Sequence, residues 1–232
     1  MTSLAQRATE PEELDLGVSD AEALGSLRDL RFVNRWLGAR GRLRAVVRPR
    51  LEAAAAAREA ATPSLLDVGC GSGDVAAFLA QSCSRPVLAA GVDIKPLHVK
   101  QAPPEVRPVV ANVHALPFPE RSFDVVLTSL FLHHFDGPEP AKVLAKLYSL
   151  CRRALVVTDL RRARVPYTFG QLTFRLLFRS RVSVADGLLS IRRGFTEDEL
   201  RAAFVEAGIP HVRIQRVFPY RLLAVADRPQ PY

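Results

Sequence analysis

Three glycines stand at alternate positions in the segment LLDVGCGSGD, which covers Leu65–Asp74. Gly69, Gly71 and Gly73 follow a short apolar run and precede a stretch with helical spacing. A backbone without Cβ can turn tightly and lets a ligand lie against it. Loops that hold a pyrophosphate at a helix start have the spacing G-x-G-x-x-G, whereas the spacing here is G-x-G-x-G. The segment therefore predicts a cofactor loop of another kind.

Two carboxylates flank these glycines. Asp67 lies at the end of the apolar run, and Asp74 follows Gly73 directly. Two negative charges would repel a pyrophosphate, but they suit a ligand that carries an ammonium and a sulfonium. S-adenosylmethionine is such a ligand. We therefore expect this cofactor, and not NAD, at the loop.

The next two apolar runs also end in residues that suit this cofactor. Asp93 ends the run VLAAGVD about 20 residues after the glycines, where an acid accepts hydrogen bonds from both ribose hydroxyls, and Ile94 follows it. Asn112, after VRPVVA, can accept a hydrogen bond from the adenine amine, while Val113 offers backbone and apolar contact. Because the carboxyl ends of parallel strands share one edge of a sheet, we expect these residues to line a common site.

The fourth run, FDVVLTSLFLHHF, brings Ser129 and Leu130 to the expected position of the methyl donor. His133 and His134 follow. A histidine with an unperturbed pKa of about 6.5 can take a phenolic proton at neutral pH. We prefer His133 as the base, since alternation along the strand aims it the same way as Ser129. The alternative is that either histidine only packs or hydrogen-bonds at the strand end.

Other polar residues have alternative interpretations. Asp159 ends the fifth run and could orient a histidine or cap the next segment, and we favour the cap. Some of the remaining residues could meet the methionine carboxylate or an anionic acceptor. We expect a structural or solvated role for each of these: Asn34, Arg35, Trp36, His98, His114, Arg192 and Arg193.

The elements that must position these residues form an α/β pattern. From 64 to 159, short apolar runs alternate with helical stretches, which is typical of a parallel sheet with helices on both faces. Thr196 and Glu199 form a capping box, and the last two runs form an antiparallel pair. We expect a Rossmann-like, doubly wound, mostly parallel seven-stranded sheet with an antiparallel last strand. The sequence predicts a flexible arm without chemistry (1–20) followed by one domain (21–232). Within the domain we expect N-terminal helices (21–61), a cofactor-binding core (64–159), an acceptor lid insertion (160–195), and a final helix and strand pair (196–232).

The predicted lid insertion is rich in apolar and arginine residues. Its apolar members are expected to form the acceptor pocket wall: Tyr167, Phe169, Leu172, Phe174, Leu176, Leu177 and Phe178. The interleaved arginines are also typical of an amphipathic helix at a membrane surface. A lid over an apolar substrate, with peripheral membrane contact, agrees with both features.

From Ser64 to Asp159 the chain resembles the class I methyltransferases, and it is similar to quinone-biosynthesis and small-molecule members. The resemblance implies that the glycine loop with Asp67 lines the methionine moiety, that Asp93 holds the ribose, and that Leu130 to His133 approach the sulfonium. Asn112 departs from the family, in which aspartate is more frequent at this position.

The flanks RFVNRWLGARGRL and SIRRGFTEDELRAAFVEAGI resemble methyltransferases that accompany type III polyketide synthases. This resemblance implies O-methylation of a phenolic polyketide, a small-molecule acceptor. The alternatives are C-methylation of a quinol or isoprenoid ring, and a cofactor-binding scaffold without catalysis.

Composition argues against several other classes of protein. Only four of the 32 basic residues are lysines, so the net charge of +8 indicates an arginine bias from codon usage more than a nucleic-acid footprint. The run SLFLHHF also lacks the Asn/Asp-Pro-Pro-aromatic tetrapeptide of nucleic-acid methyltransferases. The three unpaired cysteines indicate neither a disulfide framework nor a zinc site, and no metal is expected in the reaction. Without a signal sequence or a long apolar run, we expect a soluble cytoplasmic protein.

Overall fold

The computed structural model describes residues 4–36, 39–57 and 61–229, apart from the side chain at 39. The strands of its single sheet are β1 Ser64–Val68, β2 Leu88–Asp93, β3 Val106–Val110, β4 Phe123–Ser129, β5 Cys151–Leu160, β6 Arg213–Val217 and β7 Arg221–Asp227. Their order is β3-β2-β1-β4-β5-β7-β6. β1 to β5 pair in parallel, and β7 runs antiparallel to β5 and β6. This arrangement confirms the predicted Rossmann-like sheet.

Helices cover both faces of the sheet because its central strands alternate apolar side chains to both sides. The helices are α1 Glu13–Leu16, α2 Asp20–Trp36, α3 Ala39–Ala57, α4 Asp74–Gln81, α5 Pro96–Val99, α6 Glu139–Leu150, α7 Arg164–Leu177, α8 Arg181–Arg193 and α9 Glu197–Glu206. Leu65 of β1 packs with α3 and α4, whereas its neighbour Leu66 packs in the opposite layer with α6 and α9. All five residues of β1 are buried, so the strand that leads into the glycine loop is held from both sides.

The capping box predicted at 196–199 is present at the start of α9. The Thr196 hydroxyl accepts from the Glu199 backbone N–H (3.3 Å), and the Glu199 carboxylate accepts from the Thr196 N–H (2.7 Å). Glu199 also pairs with Arg162, whose guanidinium is buried. This pair ties α9 to the start of the insertion.

The predicted flexible arm is wrong for residues 4–20, which pack against the domain. Arg7 donates hydrogen bonds to the carbonyls of Arg193 (2.8 Å), His133 (3.1 Å) and Phe135 (3.0 Å), and its guanidinium lies 4.1 Å from the centroid of the Phe195 ring. The segment lacks helical periodicity because it is held by such distant polar contacts and not by an amphipathic face. Residues 1–3 of the predicted arm lie outside the described residues.

The insertion predicted as a lid (160–195) forms two helices, α7 and α8, which pack against each other, and α8 also packs against α2. Within the described residues, no helix combines the length and the apolar character needed to cross a bilayer.

Arg7→Ala should lower the free energy of unfolding by about 1–3 kcal/mol, because three carbonyl groups lose their shared charged donor. Denaturant unfolding of the purified chain measures this change. Arg107→Ala, at an exposed position of β3, is the matched control and should stay within about 0.5 kcal/mol of wild type. Equal losses in the two variants would contradict a docked N-terminal segment.

Candidate active site

The glycine loop turns between β1 and α4 with a left-handed backbone. Gly69, Gly71 and Gly73 have φ values of 70°, 54° and 67°, a region that other residues rarely adopt. A Cβ on Gly69 would lie 2.3 Å from the ring of Phe131. Glycine is therefore required at this turn by both backbone conformation and space.

A small polar cleft of about 60 Å³ opens beside this loop. Asp67 lies in its wall with Gly69, Gly71, Ser129 and Leu130. The Asp67 carboxyl group is buried, and its Oδ1 atom has no hydrogen-bond partner among the described residues. Burial raises the pKa of Asp67 well above its usual range, and repulsion from Asp74 and Asp93 raises it further. A buried carboxyl group with one unpartnered oxygen suits a ligand that brings a positive charge.

The other side of the cleft is closed by α2 and the start of α3. Asn34 lies in the wall, 3.4 Å from Asp74, which also pairs with Arg40 (2.8 Å). Arg31 donates to the hydroxyl of Ser72 (2.8 Å). Arg31 and Arg40 were missed from the sequence, although Arg31 lies one helical turn before Asn34 and could have been found by that spacing.

Asn34, Arg35 and Trp36 were considered together as residues that could meet the methionine carboxylate. Of these three, Asn34 lies in the cleft wall. Arg35 and Trp36 are exposed, and the Arg35 guanidinium lies over the Trp36 ring. A structural role for these two agrees with their surface position.

The residues predicted for the adenosine moiety lie at the carboxyl ends of β2 and β3. Asp93 accepts from the backbone N–H groups of Gly71 (2.9 Å) and Lys95 (3.0 Å), so it braces the glycine loop, and Ile94 beside it is exposed. His98 was expected to be solvated, but it is buried with its Nδ1 atom 3.5 Å from Asp93. The short helix α5 turns His98 inward, which sequence spacing alone did not indicate.

Asn112 and Val113 follow β3 in a short 3-10 turn. The Asn112 side-chain oxygen accepts from the His114 backbone N–H (3.0 Å) and caps this turn. Val113 is buried, whereas His114 is exposed as expected. The amide oxygen of Asn112 has two lone pairs, so one remains for a ligand.

His133 is buried between two carboxylates. Its Nδ1 atom lies 2.7 Å from Asp159 Oδ1, its backbone N–H donates to Asp159 Oδ2 (3.1 Å), and its Nε2 atom lies 3.4 Å from Glu12 Oε1. Burial alone would lower the pKa of His133, but Asp159 and then Glu12 outweigh it and raise this pKa to about 10. The imidazole is therefore protonated at neutral pH, and Asp159 orients it, although we had favoured a capping role for Asp159.

The geometric argument for preferring His133 was wrong. β4 ends at Ser129, Leu130 has a positive φ of 54°, and residues 132–134 form a 3-10 turn. Strand alternation therefore stops before the histidines. His133 points inward because Asp159 binds it.

His134 stacks on His133, with ring centroids 4.5 Å apart. Its Nδ1 atom lies 2.7 Å from Asp15, and its Nε2 atom lies 3.8 Å from Glu12. The facing atoms of Glu12, His133 and His134 fall within 4.8 Å of one another. Because every imidazole nitrogen already faces a carboxylate, we interpret this cluster as an ion-pair network. Glu12 and Asp15 were missed, since the N-terminal segment carries no local signal of a site.

A cavity of about 380 Å³ lies on the other side of Leu130. Leu30 and Leu130 line both the cavity and the small cleft, so the two spaces adjoin. Most of its wall is apolar, and Glu12, His133 and His134 lie in it near this junction. The apolar wall comes mainly from α2, α7, α8 and the β6–β7 turn: Leu30, Val33, Val165, Phe169, Phe174, Phe178, Ile191 and Phe218.

The insertion contributes to the cavity as predicted, but not through all of the predicted residues. Phe169, Phe174 and Phe178 line it. Leu172 and Leu176 point away from it and are 72% and 85% exposed. The helical period places Phe174 on the opposite side of α7 from Leu172 and Leu176, whereas Phe169 lies on the same side as these leucines and is 53% exposed.

Comparison with known families decides the type of domain. Residues 66–154, from β1 to β5, match the family model described as a methyltransferase domain. The chain carries a methyltransferase domain. Its methyl donor is S-adenosylmethionine, in agreement with the glycine loop and its acids. The comparison with curated protein sequences finds no match.

Solved structures show the same fold at low sequence identity. The plantazolicin methyltransferase BpumL, in complex with a monoazolic desmethylPZN analogue and SAH, has a TM-score of 0.64 and 12% identity, covering 91% of this chain and 96% of that one. A protein from Nostoc punctiforme described as an O-methyltransferase has a TM-score of 0.54 and 19% identity over 78% of this chain. The CurJ carbon methyltransferase has a TM-score of 0.57 and 15% identity over 79% of this chain. This chain spans about half the length of the last two, 56% and 53%.

Arg193 of the methyltransferase holds the histidine turn in place. Its buried guanidinium donates to the carbonyls of His133 (3.0 Å) and His134 (2.9 Å) and to Asp136 (2.9 Å). Arg192 pairs with Glu10 (3.2 Å). Both arginines have the structural role that was expected for them.

Asp93→Ala in the methyltransferase should weaken binding of S-adenosylhomocysteine by about 1–3 kcal/mol, because the charged acceptor at the β2 end is lost. Calorimetric titration measures the affinity. Asp198→Ala, at an exposed position of α9, is the control and should bind as wild type does. Wild-type affinity in the Asp93 variant would contradict a role for Asp93 in cofactor binding.

The stability of the methyltransferase should fall as pH rises from about 6.5 to about 10. His133 has a folded-state pKa of about 10, above an unfolded value of about 6.5. Its stabilising contribution is therefore complete below about pH 6.5 and is lost as pH rises through the folded value. Urea unfolding across this range should show a smaller fall for His133→Asn than for wild type. His114→Asn, at an exposed histidine, should keep the wild-type fall, and identical profiles for all three proteins would refute the buried cation.

Proposed function

We propose that the protein transfers a methyl group from S-adenosylmethionine to the hydroxyl of a small, largely apolar acceptor, such as a phenolic polyketide. The observation that carries this proposal is the 380 Å³ apolar cavity that adjoins the cofactor cleft at Leu130 and has Glu12 and His133 near that junction. Its size lies within the range of about 300–1,000 Å³ usual for small-molecule sites. An acceptor with an apolar body and one polar group matches this distribution of apolar and polar residues in the cavity wall.

The cofactor is assigned to the carboxyl edge of the parallel strands. Bound there, S-adenosylmethionine supplies an electrophilic methyl group. In this proposal Asp67 and the glycine loop hold the methionine moiety, since the buried Oδ1 atom of Asp67 has no hydrogen-bond partner among the described residues. Asp93 with Ile94 flanks the ribose, and Asn112 with Val113 flanks the adenine. Ser129 and Leu130 then lie beside the sulfonium.

The acceptor is oriented by the charged residues near the junction. Two other carboxylates in the cavity wall are already occupied. Asp29 accepts from the backbone N–H groups of Arg179 and Ser180, and Asp186 accepts from those of Glu13 and Leu14. Glu12 also has partners, since it accepts from the Ser190 hydroxyl and faces His133 and His134, but its partners are side chains that can exchange a proton. We therefore assign Glu12, with His133 and His134, to meet the hydroxyl.

His133 cannot act alone as the base while it carries a proton at neutral pH. We assign the acceptor proton to the coupled Glu12–His133 pair, with the carboxylate of Glu12 as the receiving group and Asp159 as the positioning residue. Burial alone would raise the pKa of Glu12, but its bonds to His133 and Ser190 lower it overall. A carboxylate with a lowered pKa is a weak base, so it matches the acidic hydroxyl of a phenol or enol better than that of an aliphatic alcohol.

The rest of the catalytic contribution is alignment. The cavity wall from α2, α7 and α8 holds the acceptor ring and excludes water from the junction. Holding the hydroxyl oxygen beside the methyl donor replaces a bimolecular encounter by an effectively unimolecular step.

The test incubates the enzyme with labelled S-adenosylmethionine and separate panels of alkylated phenols, quinols, RNA and protein extract. Label should enter the phenol oxygen and should do so after treatment with a chelator. Glu12→Gln should lower turnover by about 10²-fold or more, because the proton acceptor is lost. The affinity for S-adenosylhomocysteine should stay unchanged.

Glu13→Gln is the matched control, one residue along the same segment, and should keep wild-type turnover. Label on a ring carbon would replace O-methylation by C-methylation. Label confined to RNA or protein would overturn the small-molecule assignment. Full phenol methylation by Glu12→Gln would remove only the proton-accepting role of Glu12.

A further inference from the structure

The outward face of α7 carries a stripe of exposed apolar side chains. Val165, Phe169, Leu172 and Leu176 are 58%, 53%, 72% and 85% exposed. Their spacing of four, three and four residues places them on one side of the helix. Phe218, in the β6–β7 turn, is 73% exposed. We name these five residues the apolar rim.

The apolar rim borders the cavity of about 380 Å³. Val165 and Phe169 of α7, and Phe218 from the β6–β7 turn, also line that cavity. The apolar surface outside is thus continuous with the apolar wall inside. An exposed apolar patch that leads into a cavity marks an interaction or ligand-entry site more than a chance surface feature.

Positive charge flanks this rim. Arg164, Arg175, Arg179 and Arg181 have exposed side chains, and none forms a salt bridge within the part of the chain that the structure describes. No aspartate or glutamate occurs from 160 to 185. An amphipathic helix with arginines beside exposed Leu, Val and Phe matches the interface of an anionic bilayer.

We propose that α7 docks the enzyme on an anionic lipid bilayer, with the apolar rim inserted and the arginines at the headgroups, so that the acceptor enters the cavity from the lipid. The route of entry rests on the proposed function, whereas the docking does not. A second copy of the chain fits this surface less well, because a two-fold contact would bring the same unpaired arginines together. A bilayer with negative headgroups provides both the apolar layer and the opposite charge.

The test is co-sedimentation of the full chain with vesicles of phosphatidylcholine alone and of phosphatidylcholine with phosphatidylglycerol. The protein should bind the phosphatidylglycerol vesicles at least tenfold more strongly, and added salt should weaken this binding. The double variant Leu172→Glu/Leu176→Glu should lose at least tenfold in vesicle binding. Both of these leucines lie outside the cavity wall, so folding and chemistry are preserved.

Val205→Glu is the matched control, since Val205 is 55% exposed in α9, away from the rim, and this variant should bind vesicles as wild type does. Arg175→Gln/Arg179→Gln provides a second test and should lose the preference for phosphatidylglycerol. Absence of vesicle binding by wild type would overturn the proposal. So would equal binding by the leucine variant, or a dimer in sedimentation velocity that the leucine substitutions dissociate.

Methylation of a short-chain, water-soluble phenol separates this proposal from the proposed function. The leucine variant should methylate that phenol as wild type does, while methylation of a long-chain phenol held in vesicles should fall at least tenfold. Vesicle binding without any phenol methylation would support the docking and overturn the acceptor assignment. Phenol methylation without vesicle binding would support the acceptor assignment and overturn the docking.

Discussion

The imidazole of His133 lies between a carboxylate from the N-terminal segment, Glu12, and a carboxylate at the end of β5, Asp159. Buried ions are tolerated only when they are paired and hydrogen-bonded, so each of the three groups needs the other two. The turn that carries His133 is held as well by Arg7 and Arg193 through its backbone carbonyls. The charged contact among Glu12, His133 and Asp159 joins three parts of the chain: the N-terminal segment, the turn after β4 and the end of β5 before the insertion.

The ion-pair network stands beside two spaces with opposite character. The cleft at the glycine loop is small and is lined by Asp67, whose buried Oδ1 atom has no partner among the described residues, whereas the cavity beyond Leu130 is larger and mostly apolar. In the proposed function, the cationic cofactor binds on one side of Leu130 and the apolar acceptor on the other. The different polarity of the two spaces would direct each reactant to its own side.

Helix α7 both lines the cavity and presents apolar residues to solvent. Phe174 lines the cavity, Phe169 lines it and is half-exposed, and Leu172 and Leu176 are in contact with solvent. A helix that only closed a pocket would normally carry polar residues on its outer face. The cost of exposing leucine to water is small per residue, but a continuous stripe indicates a second apolar environment.

The alternating apolar runs, the glycine loop and the capping box of α9 were predictable from the sequence, and the structure contains all of them. These features depend on local physics: strand and helix periods, the left-handed conformation open to glycine, and a cap that spans three residues. The ends of β1 to β4 followed from the same patterns, so the residues assigned to the cofactor could be named before the sheet was known.

Only the tertiary structure showed the contacts of Glu12, Asp15 and Arg40 and the inward turn of His98. For Asp159, it showed which of the two roles considered from the sequence includes a bond to His133. Glu12 reaches His133 across more than 100 positions of the chain, and the resulting pair changes the charge of the imidazole at neutral pH. No local sequence pattern indicates such a partner, because a buried ion pair depends on which segments come together in the folded chain. The sequence by itself predicted where a cofactor can lie, whereas the protonation of His133 depends on burial and distance, which exist only in the folded chain.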